Sequence, residues 1–225
     1  MRIDGIRAKT VRPWRATTQS NHRWPVAENI LNRQLTVAHP TRVWAGNCID
    51  VRTTAGWLSL AVILDLYSRR VIGWAMGHRL TVELAEQEPT GGLLHHSDRG
   101  SQYAATRYQL VLPPHGITTS MSRNGNCGDN AWVERFFGTL KRERVSPRHD
   151  ATRDDAKREI VEYREVVSNR PRRHSTLGDH SPAEYAARTA VASPGVHGIE
   201  GRSDIPWVLT SRTPKRNGHS QKRML

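Results

Sequence analysis

A chain of 225 residues with 36% hydrophobic side chains, 17 Gly and 12 Pro can bury one sizeable core and carry tails, but not two large domains. No stretch reaches the ~18 unbroken apolar residues of a membrane span, and Arg2, Arg7, Lys9, Arg12 and Arg15 interrupt the start where a signal peptide needs an apolar centre, so a cytoplasmic, nucleoid-associated protein is expected. Lys and Arg outnumber Asp and Glu 34 to 21, and the net charge of +13 points to a polyanionic partner.

That charge is concentrated at the ends, with +6 on residues 1–43 and +5 on residues 188–225. Both ends read as basic arms able to follow phosphates. Residues 1–42, polar and punctuated by Pro13, Pro25 and Pro40, predict an extended arm with at most a short helix near Glu28 to Arg33. The core is expected over 43–187, and residues 188–225 as a disordered tail. Cys48 and Cys127 form neither a disulfide framework nor a paired zinc motif, and read as small buried apolar residues.

From Val43 the pattern becomes regular. Apolar, β-branched runs over Val43 to Val51, Trp57 to Leu64 and Val71 to Met76 are separated by the turn segments 53–56 and 65–70, which predicts a three-stranded antiparallel meander. A short helix over Thr81 to Glu88 and a fourth strand, Leu93 to His96, follow. Residues 101 to 112 read as a helix and Gly116 to Thr119 as a fifth strand. Asp129 to Val145 reads as a long helix that Asp129 can N-cap. In the last predicted helix, Thr152 to Val167, Thr152 and Asp155 have capping-box spacing and Ala156, Ile160, Tyr163 and Val167 share a face. A meander followed by strand–helix alternation implies an α/β fold, a mixed five-stranded sheet flanked by helices.

The long helix and the strand end before it carry the candidate chemistry. On a helical wheel Val133, Phe136, Phe137 and Leu140 occupy one arc, while Asn130, Glu134, Gly138 and Lys141 line another. A carboxylate beside an apolar stripe, with a cation two turns on, suits a metal next to a phosphodiester, although Glu134 and Lys141 also fit a solvated surface. Asp98 stands just after an apolar strand, where α/β sheets present ligands at their carboxyl edge, or else caps the helix that starts near Ser101. His95 and His96 read as packed strand-end residues, because they match no usual zinc spacing with Cys48 and Cys127.

Taken together, segments from about Gly5 to Ala187 resemble the second-reading-frame (orfB-type) transposases of bacterial insertion sequences. These have a retroviral-integrase-like catalytic core of the DDE superfamily with a ribonuclease H-like fold. The resemblance is carried by Leu64-Asp65-Leu66-Tyr67-Ser68-Arg69-Arg70, Gly73-Trp74, the run from His96 to Tyr103, the run from Ser120 to Cys127, Asp129-Asn130-Ala131, Glu134, Leu140-Lys141 and Ser181-Pro182. The 35 residues between Asp98 and Glu134 equal the family's separation of its last two catalytic acids. The resemblance therefore implies DNA transposition and integration by metal-dependent phosphodiester cleavage and strand transfer. Asp98 and Glu134 are implied as catalytic acids and metal ligands, with a two-metal Mg²⁺ (or Mn²⁺) site. Lys141 is implied as a catalytic cation, and Arg99, Arg123, Asn130, Lys141 and Arg142 as DNA contacts. Implied partners are DNA and a further copy of the chain or an intact transposase.

The same alignment of motifs exposes departures. Asn47 falls where the first catalytic Asp belongs, and a neutral amide cannot bridge two cations. Asp50 is a poor substitute, since three residues along a strand reverses the face, and Asp65 resembles a turn Asp of the family. The connection from Gly77 to Gly92 is shorter than in the family, Val167-Ser168-Asn169 replaces an aromatic-rich segment, and the helix-turn-helix region is expected to be missing. Two readings follow: an impaired enzyme, or a non-catalytic DNA-binding remnant that interferes with an intact relative.

Overall fold

The computed structural model describes residues 22–77, 92–145 and 152–192. The predicted helix over Thr81 to Glu88, the first 21 residues and the tail from 193 lie outside them.

The meander is formed by β1 (Val43–Thr53), β2 (Gly56–Asp65) and β3 (Val71–Gly77), paired antiparallel. The β1–β2 hairpin turns tightly at Gly56, whose φ of 113° is open to glycine. The β2–β3 turn is organised by Asp65. Its carboxylate accepts from the backbone N–H of Ser68 at 3.0 Å, from the Ser68 hydroxyl at 2.6 Å and from the Thr41 N–H at 3.2 Å. β4 (Leu93–Ser97) then joins β1 in parallel, and β5 (Ile117–Met121) joins β4 in parallel. The sheet order is β3-β2-β1-β4-β5, a mixed five-stranded sheet as the pattern implied.

Strand alternation divides the side chains between two helical layers. Ala45 and Val51 of β1, with Leu58, Leu60, Val62 and Leu64 of β2, pack against α3 (Ala131–Leu140) and α4 (Arg153–Glu162) through Val133, Phe137, Leu140, Ala156 and Ile160. Trp44, Ala61, Ile63, Leu93 and Ile117 point the other way, toward Leu112 and the short helices α1 (Ser101–Ala104) and α2 (Thr106–Val111). The Thr152–Asp155 capping box is present at the start of α4, and Tyr163–Asn169 continues that helix in wider turns. Asn169 then pairs with the edge strand: its amide accepts from the Val71 N–H at 3.0 Å and donates to the Val71 carbonyl at 3.3 Å. A final helix, α5 (Pro182–Ala192), begins with proline, and Ser181 and Glu184 bond each other's backbone N–H.

Two sequence expectations are corrected. The single helix over 101–112 is broken at Ala105, whose ψ of 130° is extended. In an unbroken helix Tyr103 and Tyr108, five residues apart, would diverge; the break lets the two rings stack edge-on, 5.5 Å apart, with His95. Asp129 does not cap the long helix, which starts at Ala131 after a tight turn at Cys127–Asn130 and widens at Lys141–Val145. No helix forms over 28–33. That stretch lies along the edge strand β5, where the Met121 N–H donates to the Glu28 carbonyl at 3.3 Å and the Ser120 hydroxyl accepts from the N–H groups of Ile30 and Leu31. Leu31, 3% exposed, enters the core with Leu35 and Val37 beside it, so the described part of the arm also covers a sheet edge.

Candidate active site

The sheet places Asn47 and Asp98 side by side. Gly46 of β1 is in register with Ser97 of β4, and the next residue on each chain is Asn47 and Asp98. Asn47 alternates in phase with Ala45 and Val51, and Asp98 with Leu94 and His96, so both face the layer that contains α3.

The third member comes from α3, whose buried stripe of Val133, Phe137 and Leu140 seats it on this face. Glu134, one residue past that stripe, reaches Asp98 closely enough to feel it. Burial, then the negative charge of Asp98, raises the Glu134 carboxyl above its usual range. Burial also raises the Asp98 carboxyl, against the Gly100 N–H that donates to it at 2.9 Å. Asn130 ties helix to sheet: 3% exposed, it donates its amide N–H to the Gly46 carbonyl at 3.1 Å.

These residues define what the site can hold. Two partly desolvated carboxylates that repel each other suit one hard cation, which prefers anionic oxygens. Asn47 adds no charge, and its Oδ1 already accepts from the Cys48 N–H at 2.6 Å. The residues present fit a single Mg²⁺ or Mn²⁺ ion better than a bridged pair. Among the described residues no group of three or more His, Cys, Asp and Glu side chains is arranged to hold a metal. Asp50 accepts from the Ser59 hydroxyl at 2.6 Å on the opposite side of β1 from Asn47, and Asp65 is used up in its turn, so neither joins the site.

The implied DNA contacts scatter around this centre. Lys141 lies two turns after Glu134, where α3 passes into its wider turns, and no ion pair among the described residues engages it. Arg142 folds back on the Gly138 carbonyl at 3.2 Å. Arg99 donates to the Ser122 carbonyl at 2.7 Å, joining the end of β4 to the loop after β5. Arg123 is committed to Asp129 through its backbone N–H at 2.9 Å, Nε at 3.0 Å and Nη2 at 2.7 Å.

Asp129 is the residue whose role sequence reading missed. Besides Arg123, its fully buried carboxylate accepts from Asn29 at 2.7 Å and Arg33 at 3.2 Å, and these donors hold its carboxyl far below the usual range. It thereby fastens the loop before α3 to residues 29–33. Nothing local signals this, because Asn29 and Arg33 are about a hundred residues away. His96, beneath this loop, bonds the Ser120 hydroxyl at 2.9 Å and the Ser122 hydroxyl at 3.1 Å, and burial pushes its pKa down to about 4. His95 is likewise driven down, to about 3, and the Cys48 thiol is pushed up to about 12, both by burial, so neither is poised for chemistry near neutral pH.

Known proteins resemble this chain. The Integrase core domain family model matches residues 37–127, and a second Integrase core domain model matches residues 115–182. The insertion element IS600 uncharacterized 31 kDa protein of Shigella sonnei is 47% identical over 189 residues, covering 80% of this chain and 70% of that protein. Transposase InsF for insertion sequence IS3fB, from Escherichia coli (strain K12), is 39% identical over 194 residues, covering 82% of this chain and 67% of that protein. Among solved structures, a chain from the simian T-cell lymphotropic virus intasome in complex with PP2A regulatory subunit B56 gamma aligns at a TM-score of 0.50 and 17% identity. It covers 82% of this chain and 65% of that one, and supports the ribonuclease H-like fold of retroviral integrase cores. The chain belongs to the integrase core domain family, among the IS3-type insertion-sequence transposases.

Proposed function

We propose that this chain is a transposase catalytic domain that cleaves and rejoins DNA phosphodiesters, with Asn47 weakening the reaction at the position of the first metal ligand. The observation that carries the reading is the meeting of Asp98 and Glu134 beside Asn47 at one sheet edge, on side chains with 35 residues between them in sequence. A bound divalent ion supplies charge neutralisation at the attacked phosphate and its leaving oxygen. Asp98 and Glu134 would provide the anionic oxygens for that ion, and their raised proton affinity would make metal and proton compete. Lys141, on the Glu134 side of α3, steadies a phosphate. Water or a DNA 3′-hydroxyl attacks phosphorus and gives up its proton to solvent, the P–O3′ bond breaks, and the departing oxygen takes a proton from solvent. Arg99, Arg123, Asn130 and Arg142 surround the route of the strand, and multimers with a like chain bring two DNA ends together.

A second reading is a DNA-binding protein without catalysis, favoured by one observation: the Asn47 amide oxygen is engaged by its neighbour's N–H and carries no charge. Incubation of the protein with supercoiled DNA and Mg²⁺ or Mn²⁺ separates the two. Slow nicking that disappears in Asp98→Ala and Glu134→Ala supports the enzyme, whereas binding with no nicking in either metal supports the binder.

A further inference from the structure

A second gathering of cations lies on α3, apart from the acidic pair. The Arg69 guanidinium, from the β2–β3 turn, stands 3.8 Å from the centroid of the Trp132 ring, and that of Arg135 stands 6.0 Å from the same ring. Trp132 and Arg135 are three residues apart and share a helix face. His174, from the segment before α5, senses the positive charges of Arg172, Arg135 and Arg69, which add to burial in keeping it neutral. Two guanidinium groups from distant parts of the sequence thus meet at one indole, with His174 within electrostatic reach of both and of Arg172, which itself pairs with Glu143 beside the Tyr163 ring.

Their hydrogen bonding is incomplete. Arg69 is only 9% exposed, yet Nη2 alone has a partner, the Leu35 carbonyl at 3.0 Å. Arg69 Nε and Nη1, the Trp132 indole N–H, Arg172 Nε and His174 Nε2 are buried with no partner. The acids within reach are already occupied: Asp65 with its turn, and Glu143 with Arg172 and the Tyr163 hydroxyl. A buried donor without an acceptor is destabilising, so a cluster of them favours an acceptor-rich anion. Phosphate fits, since arginine forks bind it at two oxygens. Arg135 is exposed and lies one residue from Glu134 on α3.

We propose that Arg69, Arg135, Arg172 and His174 form an anion site that grips a DNA backbone phosphate outside the acidic pair. The proposal rests on the DNA reading above. It is tested on the full chain with Arg135→Ala, His174→Ala and the double variant, which spare the buried Arg69. Arg69→Lys, which keeps the charge and loses the fork, serves as a further probe. Binding to a short duplex is followed over a salt series, and thermal stability is followed with and without inorganic phosphate. We expect the double variant to bind about tenfold more weakly, with a slope of log K against log salt shallower by about 1 to 2. Arg158→Ala on α4 should change affinity less than about twofold. Phosphate should raise the melting temperature of the unmodified protein and not that of the double variant. If the unmodified protein binds duplex and the double variant keeps its affinity and slope, the site is overturned while the DNA reading stands. If the unmodified protein binds no duplex, the DNA reading falls and takes the DNA source with it. Phosphate stabilisation lost in the double variant would then assign the cluster to a free anion.

Discussion

Asn130 donates to the Gly46 carbonyl at 3.1 Å, joining the residue just before α3 to the strand residue just before Asn47. This bond ties the strand that carries Asn47 to the helix that carries Glu134. Asn130→Ala should leave the Gly46 carbonyl without its donor, cost about 1–2 kcal/mol, and weaken Mn²⁺ binding by loosening Glu134. Calorimetric titration with Mn²⁺ checks the second effect. Unchanged metal affinity in a folded Asn130→Ala protein would show that the bond does not position the helix.

The acidic pair should be a local instability until a cation neutralises it. Both carboxyls titrate above their usual range, so the folded state holds these protons more tightly than the unfolded chain does, and stability is lost as pH rises through that range. Asp98→Asn or Glu134→Gln should therefore raise the metal-free melting temperature at pH 7 by up to a few degrees, about 1 kcal/mol or less. Either change should abolish stabilisation by Mn²⁺. In the unmodified protein that stabilisation should grow from about pH 4 to 7, because metal displaces protons. Scanning calorimetry at several pH values measures both trends.

Asp129 predicts the opposite pH dependence. Its donors hold its carboxyl below the unfolded value, so its contribution is complete above the ordinary Asp range and is lost as pH falls through it toward the lower folded value. Asp129→Ala should cost about 2–3 kcal/mol at pH 7, since it strands the partly buried Arg123 backbone N–H and frees the loop before α3. The cost should shrink in acid. Denaturant melts at pH 7 and pH 3 check this, and a constant difference between them would count against the clamp.

Gly46 should tolerate no side chain. A Cβ there would come within 2.8 Å of His95 Nε2, and the His95 ring is held by the Tyr108 hydroxyl at 3.0 Å. Gly46→Ala should destabilise by about 1–3 kcal/mol, and Gly46→Ala with His95→Ala should recover much of that loss. Additive costs in chemical melts would place the strain elsewhere.

What could be read from sequence divides along physical lines. The meander was legible because apolar, β-branched runs between Val43 and Met76 are set off by turn segments, and the Thr152–Asp155 cap because its partners are three residues apart. Asp98 and Glu134 were legible through the spacing of a resemblance, since no local pattern places a helix over a particular strand end. Asp129 was misread because a local rule offered a cap while its actual donors come from residues 29 and 33. The break at Ala105 escaped notice because its cause, the packing of two tyrosines on His95, is tertiary. The cations around Trp132 were invisible for the same reason.

The central claim is that Asn47 stands at the first-ligand position, and the most direct test is Mn²⁺-dependent nicking of supercoiled DNA by the unmodified protein and by Asn47→Asp. An aspartate there would bring a third carboxylate beside Asp98 and Glu134 on the face covered by α3. The account predicts a rise in nicking of at least about a hundredfold, within the ~10²–10³ that one well-placed electrostatic group contributes, and its loss when Asp98→Ala is added. It is contradicted if the unmodified protein already nicks as fast as Asn47→Asp and Asp50→Ala or Asp65→Ala removes that activity.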